Sequence, residues 1–295
     1  MIKIMYICNW GESPEDLLSR YSKQTPESSN IWKNIQGTTN PDEVDYFIVL
    51  DGIGKINFNV DPDKVIFIKR EAEFIEKYQR PNYKHVRNYD NGAYGITWWI
   101  GNSYNELKNM EYPKEEKTKD CSLIIRYKYP HRQAFLNNLF SKPTGIDLYG
   151  FDHPNFADYK GIINSPDGKC KMPGIKPYKY SIALTNSQQL NYFSEKICDI
   201  YLGWGMPIYW GCPNIGDFFP EKSFRVIDCN DPNVNQRIKE IINTPLTEED
   251  IEAIGEARRL VLEKYNLWEI VKEEVDKAEE TKKVTDGENI LKSRA

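Results

Sequence analysis

Short apolar runs, each broken by polar or Gly- and Pro-rich segments, recur along the whole chain. They fall at residues 2–8, 44–50, 65–68, 84–87, 122–127, 146–150, 180–184, 207–210 and 224–227. Runs of four to seven residues bounded by turn formers are too short for most helices and read as buried strands. Helix starts fall between them. Ser13 precedes Pro14, an N-cap followed by proline at the first helical position. Ser103 has Glu106 three residues on, and Thr247 is followed by an acidic triplet, both in the manner of a capping box. Pro130 opens a stretch whose apolar face is Phe135, Leu136 and Leu139, and Ser194 opens another whose first turn holds Glu195 and Lys196. A further helix is expected from Asn230-Asp231-Pro232 to 242, and helical periodicity resumes at 267–275. Strands alternating with helices predict an α/β protein built on parallel sheets. The sharpest unit is 178–220, where a strand, a polar loop, a charged helix start and a second strand follow one another as a βαβ unit.

A chain of 295 residues is long for one core, so two domains are expected. The polar stretch 112–120 (YPKEEKTKD) reads as their linker. It puts the boundaries at 1–116 and 117–276, an N-terminal and a C-terminal domain, with a polar tail over 277–295 expected to fray. The net charge of −5 gives no electrostatic support for a nucleic-acid partner. No apolar run approaches ~20 residues and no basic segment leads the first strand, so neither a membrane span nor a signal peptide is expected. The expected location is cytoplasmic, with peripheral membrane association left open. The six cysteines form no CxxC pair and read as reduced thiols, and Asp61-Pro62-Asp63 reads as a turn more than as a metal site. Gly52 and Gly54 do not make a GxGxxG fingerprint.

In open α/β sheets, ligands sit beyond the carboxyl ends of the strands. Three side chains stand out there. Glu71 follows the 65–68 strand directly and either faces a cleft as a general base or simply opens the next helix. Arg132 lies in the first turn of its helix, where the dipole disfavours a cation; a bound anion would account for it, and so would a solvent-facing side chain. Lys196 is a second cation in a first helical turn. Together Arg132 and Lys196 could neutralise a diphosphate without a metal ion. His85, His131 and His153 are scattered and form no ligand cluster, and the Trp98-Trp99 pair reads as packing ahead of a sugar platform.

The stretch YKYSIALTNSQQLNYFSEKICDIYLGWGMPIYWGCPNIGDFFPEKSF resembles the signature of the α-1,3/4-fucosyltransferases, glycosyltransferase family 10. Weaker similarity extends to the Asn9-Trp10-Gly11 loop and to the segments KVIFIKREA, RYKYPHRQAFLNNL and IDLYG. The resemblance implies a GT-B fold, two Rossmann-like domains facing across a cleft, and inverting transfer of fucose from GDP-fucose to a glycan hydroxyl. No metal or other cofactor is implied. By matching positions, Asn186 falls on the nucleotide-contacting Asn, Tyr192, Glu195 and Lys196 on the groups that hold the sugar and phosphates, and Arg132 on the diphosphate-gripping Arg. Glu71 falls on a candidate base, within Arg-Glu-Ala where the family has Gly-Glu-Asn. Thr185 stands where the family has Glu, which keeps another nucleotide sugar, or a non-catalytic nucleotide-sugar or carbohydrate binder, as the alternative.

Overall fold

The computed structural model describes residues 1–72, 83–163 and 170–292. Its strands are β1 Ile2–Cys8, β2 Ile31–Trp32, β3 Ile35–Gly37, β4 Tyr46–Leu50, β5 Val65–Ile68, β6 His85–Arg87, β7 Lys119–Ile124, β8 Asp147–Tyr149, β9 Tyr178–Leu184, β10 Met206–Trp210 and β11 Arg225–Val226. Its α-helices are α1 Pro14–Ser22, α2 Tyr104–Asn109, α3 Pro130–Leu139, α4 Glu195–Leu202, α5 Val234–Asn243, α6 Glu248–Glu263 and α7 Leu267–Lys292. The chain forms two compact units, one of residues 1–97, 103–105 and 264–295, the other of 98–102 and 106–263.

The first unit holds a sheet in the order β2-β3-β1-β4-β5-β6, parallel except for the β2–β3 pair. Register aligns Met5, Phe47 and Val65 in one row and Ile7, Val49 and Phe67 in the next. All six are buried in a single apolar cluster. On the other face Tyr6 packs edge-on against Tyr21 at 5.0 Å and against Trp268 at 5.4 Å. Burial on both faces is why β1, β4 and β5 read as unbroken apolar runs, without alternation.

The second unit holds the order β11-β10-β9-β7-β8, parallel throughout. If the short antiparallel β2 is set aside, the two sheets share one topology. Each has a central strand pair, β1 with β4 and β7 with β9, from which the chain winds outward in both directions. That pair is the switch point, where the loops leaving adjacent strands diverge and open a crevice.

The units divide the chain differently from the expected boundary at 116/117. Strand β7 begins at Lys119, inside the expected linker. Helix α7 returns to the first unit, because Trp268 is fully buried there and its indole N–H donates to Tyr21 O at 2.8 Å. Arg87 and Glu274, both buried, add an ion pair at 3.0 Å. The same helix continues to Lys292 through most of the polar tail; 293–295 lie outside the described residues. Ser13 caps α1 with a reciprocal capping box, and Thr247 and Asp250 cap α6 in the same way. Asp61 accepts from the Asp63 N–H at 3.0 Å, a turn as expected.

Candidate active site

At the carboxyl ends of β7, β8 and β9 the second unit opens a cavity of about 510 Å³. Its walls come from the segment after β7 (Ile124 to Arg132), from Gly150 and Phe151 after β8, and from Asn186, Glu195 and Lys196 after β9. Trp99, Ile162, Ile163, Cys170 and Lys171 also line it. The β8 end can come this close to β7 because residue 150 is glycine: a Cβ there, at φ +132, would meet Ile125 O at 1.8 Å.

Arg132 is the central group. It is 4% exposed, and its guanidinium stacks 4.9 Å from the Tyr129 ring centroid. Nη2 donates to Leu184 O at 3.3 Å and to Asn186 Oδ1, both neutral acceptors. Nε is buried with no hydrogen-bond partner. Burial pulls its pKa down, against the pull of Tyr129 and Glu195, yet an arginine keeps its proton in proteins. It is therefore a buried positive charge without a paired anion among the described residues, at the wall of an open cavity.

Helix α4 supplies the rest. Ser194 is its N-cap and accepts from Lys196 N. Lys196 Nζ donates to Glu195 Oε1 at 3.1 Å, and Lys171 Nζ lies 4.0 Å from the same oxygen. Burial alone would raise the Glu195 carboxyl; the two ammonium groups outweigh it and hold its pKa at about 2. Lys171 also donates at 2.6 Å to Asp199, which is 1% exposed and accepts from the Trp99 N–H at 2.9 Å. Both helices α3 and α4 begin at the cavity, and α3 has no side-chain cap, so the positive ends of two helix dipoles point at the same space.

Among the described residues five cations line the cavity (Arg126, Lys128, Arg132, Lys171, Lys196) against one carboxylate, Glu195. Three of them are paired: Arg126 with Asp152 at 2.7 Å, Lys171 with Asp199, and Lys196 with Glu195. Among the described residues Lys128 and Arg132 form no ion pair with a carboxylate. The arrangement suits an anion with more than one charge.

Of the residues singled out from the sequence, Arg132, Asn186, Glu195 and Lys196 meet at this cavity. Tyr192 is buried beside them, within electrostatic reach of Arg132, but is not among the lining residues. Glu71 belongs to the first unit. It lies just beyond β5, and its backbone N–H donates to Asp51 Oδ1 at 3.1 Å. Thr185 is fully buried and does not line the cavity; its hydroxyl donates to Ser187 O at 2.6 Å, so it shapes the loop that carries Asn186. His131 is exposed, and its ring lies 5.5 Å from that of Trp210. Sequence reasoning missed Lys171 and Asp199. The signal for Asp199 was present: it follows Glu195 by four residues, one turn along an otherwise apolar helix. Lys171 comes from a long loop and left no periodic trace.

The family profile described as glycosyltransferase family 10 (fucosyltransferase) C-term matches residues 114–249. An alpha-(1,3)-fucosyltransferase of Helicobacter pylori is 39% identical over 131 residues, which are 42% of this chain and 27% of that protein. The chain thus spans about a quarter of the length of that curated relative. Two solved structures are similar over nearly the whole chain. A DNA-modifying beta-glucosyltransferase has a TM-score of 0.51 at 12% identity, covering 94% of this chain and 97% of its own. A glycosyltransferase involved in avilamycin A biosynthesis has a TM-score of 0.51 at 10% identity, covering 95% and 97%. The fold is GT-B, with two Rossmann-like α/β units. Residues 114–249, which carry every wall of the cavity except Trp99, are similar to the glycosyltransferase family 10 (fucosyltransferase) C-terminal domain.

Proposed function

We propose that the protein is an inverting glycosyltransferase that takes fucose from GDP-fucose and attaches it to a glycan hydroxyl. The observation that carries this reading is Arg132, a buried guanidinium that among the described residues has only neutral partners and an unpartnered Nε, at the wall of a cavity of about 510 Å³. A diphosphate bound there gives that charge its counter-ion. The family match and the name of the relative support fucose as the sugar, and the resemblance of the 178–224 stretch supports GDP as its carrier.

In this reading Arg132 and Lys196 grip the diphosphate. They matter most as the bond from the sugar carbon to the phosphate oxygen breaks and its electron pair leaves with GDP. Asn186 contacts the nucleotide, and Glu195 and Tyr192 orient the sugar. Glu71 accepts the proton of the acceptor hydroxyl as its oxygen bonds to the sugar carbon, with inversion. Glu195 suits orientation better than proton transfer, since with a pKa of about 2 it stays ionised across the working range.

Titration calorimetry with GDP, UDP, ADP and CMP, followed by their sugars, tests the donor. GDP is expected to bind most tightly and to raise the melting temperature by mass action. A site that binds none of them overturns the reading, and a preference for another base moves it to the second reading, another nucleotide sugar, which Thr185 in place of the family Glu favours. Lys196→Ala is expected to lower kcat on the order of 10²-fold or more, the scale for losing one preorganised donor at a developing charge. Arg132→Ala is expected to abolish measurable GDP binding.

A further inference from the structure

Glu195 has more cationic company than one side chain can use. Lys196, its neighbour on α4, is 3.1 Å away, and Lys171, from the loop before β9, is 4.0 Å away. Arg132, Asp199 and the Cys198 thiol also act on it electrostatically. If Lys196 turns toward a bound anion, it leaves Glu195, and an ionised carboxylate beside an anionic ligand is repelled unless another cation takes it. Lys171 is placed to do so. It already lines the cavity, and a small rotation closes 4.0 Å to hydrogen-bond distance.

Something must hold Lys171 in that position, since a lysine carries long flexible methylenes and a strongly hydrated head. Asp199 does. It is 1% exposed, its Oδ2 accepts from Lys171 Nζ at 2.6 Å, and its Oδ1 accepts from the Trp99 N–H at 2.9 Å. The loop is tied to the same segment a second time, since Lys171 N donates to Trp99 O at 3.0 Å. One buried carboxylate thus fixes two parts of the cavity wall, Lys171 and Trp99.

We propose that Lys171 is a third cation of the anion site, which takes over Glu195 when Lys196 engages the ligand, and that Asp199 is the positioning residue that keeps it there. The proposal rests on the reading of the cavity as a diphosphate site and adds a hand-over between two lysines. A lysine that merely braced the fold would act independently of Lys196; a hand-over makes the two interdependent.

The test is a double-mutant cycle on GDP affinity in the full chain, read by calorimetry, with Lys171→Met, Lys196→Ala and the pair. Lys171→Met is expected to weaken GDP about tenfold, because Lys196 stays bound to Glu195. The pair is expected to lose more than the product of the two single losses, since with both lysines gone nothing covers the ionised Glu195 beside the anion. Lys171→Arg is expected to restore most of the affinity. Asp199→Asn keeps the Trp99 hydrogen bond and is expected to reproduce the Lys171→Met loss at an unchanged fold, as judged by circular dichroism. Wild-type GDP affinity in Lys171→Met overturns the proposal, and so do strictly multiplicative effects in the pair. Arg132→Ala separates the two levels. Should it bind GDP as well as wild type, the diphosphate reading fails; should it lose GDP while Lys171→Met does not, only the hand-over fails.

Discussion

The two units share a sheet topology and fill its switch point in opposite ways. In the first, the loops after β1 and β4 close on each other: Asn9 Nδ2 donates to Asp51 O at 3.2 Å, and Gly54 N donates to Cys8 O at 2.9 Å. Residue 54 must be glycine for this, since a Cβ would meet Cys8 O at 2.7 Å. In the second, the loops after β7 and β9 stand apart and leave the cavity. Each unit has a buried aspartate, Asp51 in the first and Asp199 in the second, and the two are used differently. Asp51 spends both of its strong hydrogen bonds on backbone, accepting from Arg70 N at 2.7 Å and Glu71 N at 3.1 Å. Asp199 spends one on a lysine. The same scaffold thus fixes the path of a loop in one unit and the position of a charge in the other.

The sharpest break of that comparison is Glu71→Gln. If the first unit supplies a base and the second the grip on the donor, this variant loses transfer by at least about 10²-fold, the lower scale for general-base catalysis, while calorimetry finds GDP affinity unchanged. A fully active Glu71→Gln puts the base elsewhere. Combined loss of turnover and of GDP affinity would show that the division of labour between the units is wrong.

Asp51 sharpens the comparison at a smaller scale. It has φ +59, the left-handed region that disfavours most side chains but admits Asn and Asp. Strain of this kind clusters where surrounding structure is made to hold a functional segment. Asp51→Ala removes the acceptor for two backbone N–H groups and keeps the strain; Asp51→Gly relieves the strain; Asp51→Asn keeps a side-chain oxygen and tolerates the backbone. The expected order of lost stability in urea unfolding is Ala, then Gly, then Asn. The Ala variant should lose about 1–3 kcal/mol, the scale for an unsatisfied buried polar group. If Asn is as damaging as Ala, then the negative charge beside Arg70 matters, and not the hydrogen-bond geometry.

Much of the framework was legible because parallel strands buried on both faces write themselves as apolar runs: β1 and β5 were read to the residue, and the starts of α1, α3 and α4 announced themselves through Ser13, Pro130 and Ser194. What was lost lay where tertiary contacts decide. The β2–β3 hairpin has strands of two and three residues, too short for any period. The return of α7 to the first unit rests on Trp268 meeting Tyr6 and Tyr21 from more than 240 positions away, which no local pattern encodes. In the site, Arg132 and Lys196 stood out because cations in a first helical turn need a reason. Lys171 did not, because a lysine in a loop needs none until Asp199 is seen beneath it.

The smallest effect concerns a second buried cation in the same unit. Lys117 is 6% exposed, and its Nζ donates to Tyr178 O at 2.8 Å and to Gly203 O, the C-cap of α4, at 2.9 Å. Like Arg132 it has only neutral hydrogen-bond partners among the described residues, but unlike an arginine it can lose its proton. Burial brings its pKa down to about 7, against a weaker upward pull from Glu116. In the unfolded chain a lysine titrates near ~10.4. Between those values the unfolded state holds a proton that the fold has released, so unfolding takes up a proton and stability rises with pH, by at most ~1.4 kcal/mol per unit. Below about pH 7 both states hold the proton and Lys117 contributes no slope. The neutral amine still has two hydrogens for its two carbonyls, so the bonds survive deprotonation. Urea unfolding of wild type and Lys117→Met at pH 7, 8 and 9 isolates this term: the wild type should gain on the variant at each step. A flat difference would mean that the C-terminus of α4 keeps the ammonium charged. Lys117 would then be, like Arg132, a permanent buried charge, but one held by a helix end in place of a ligand.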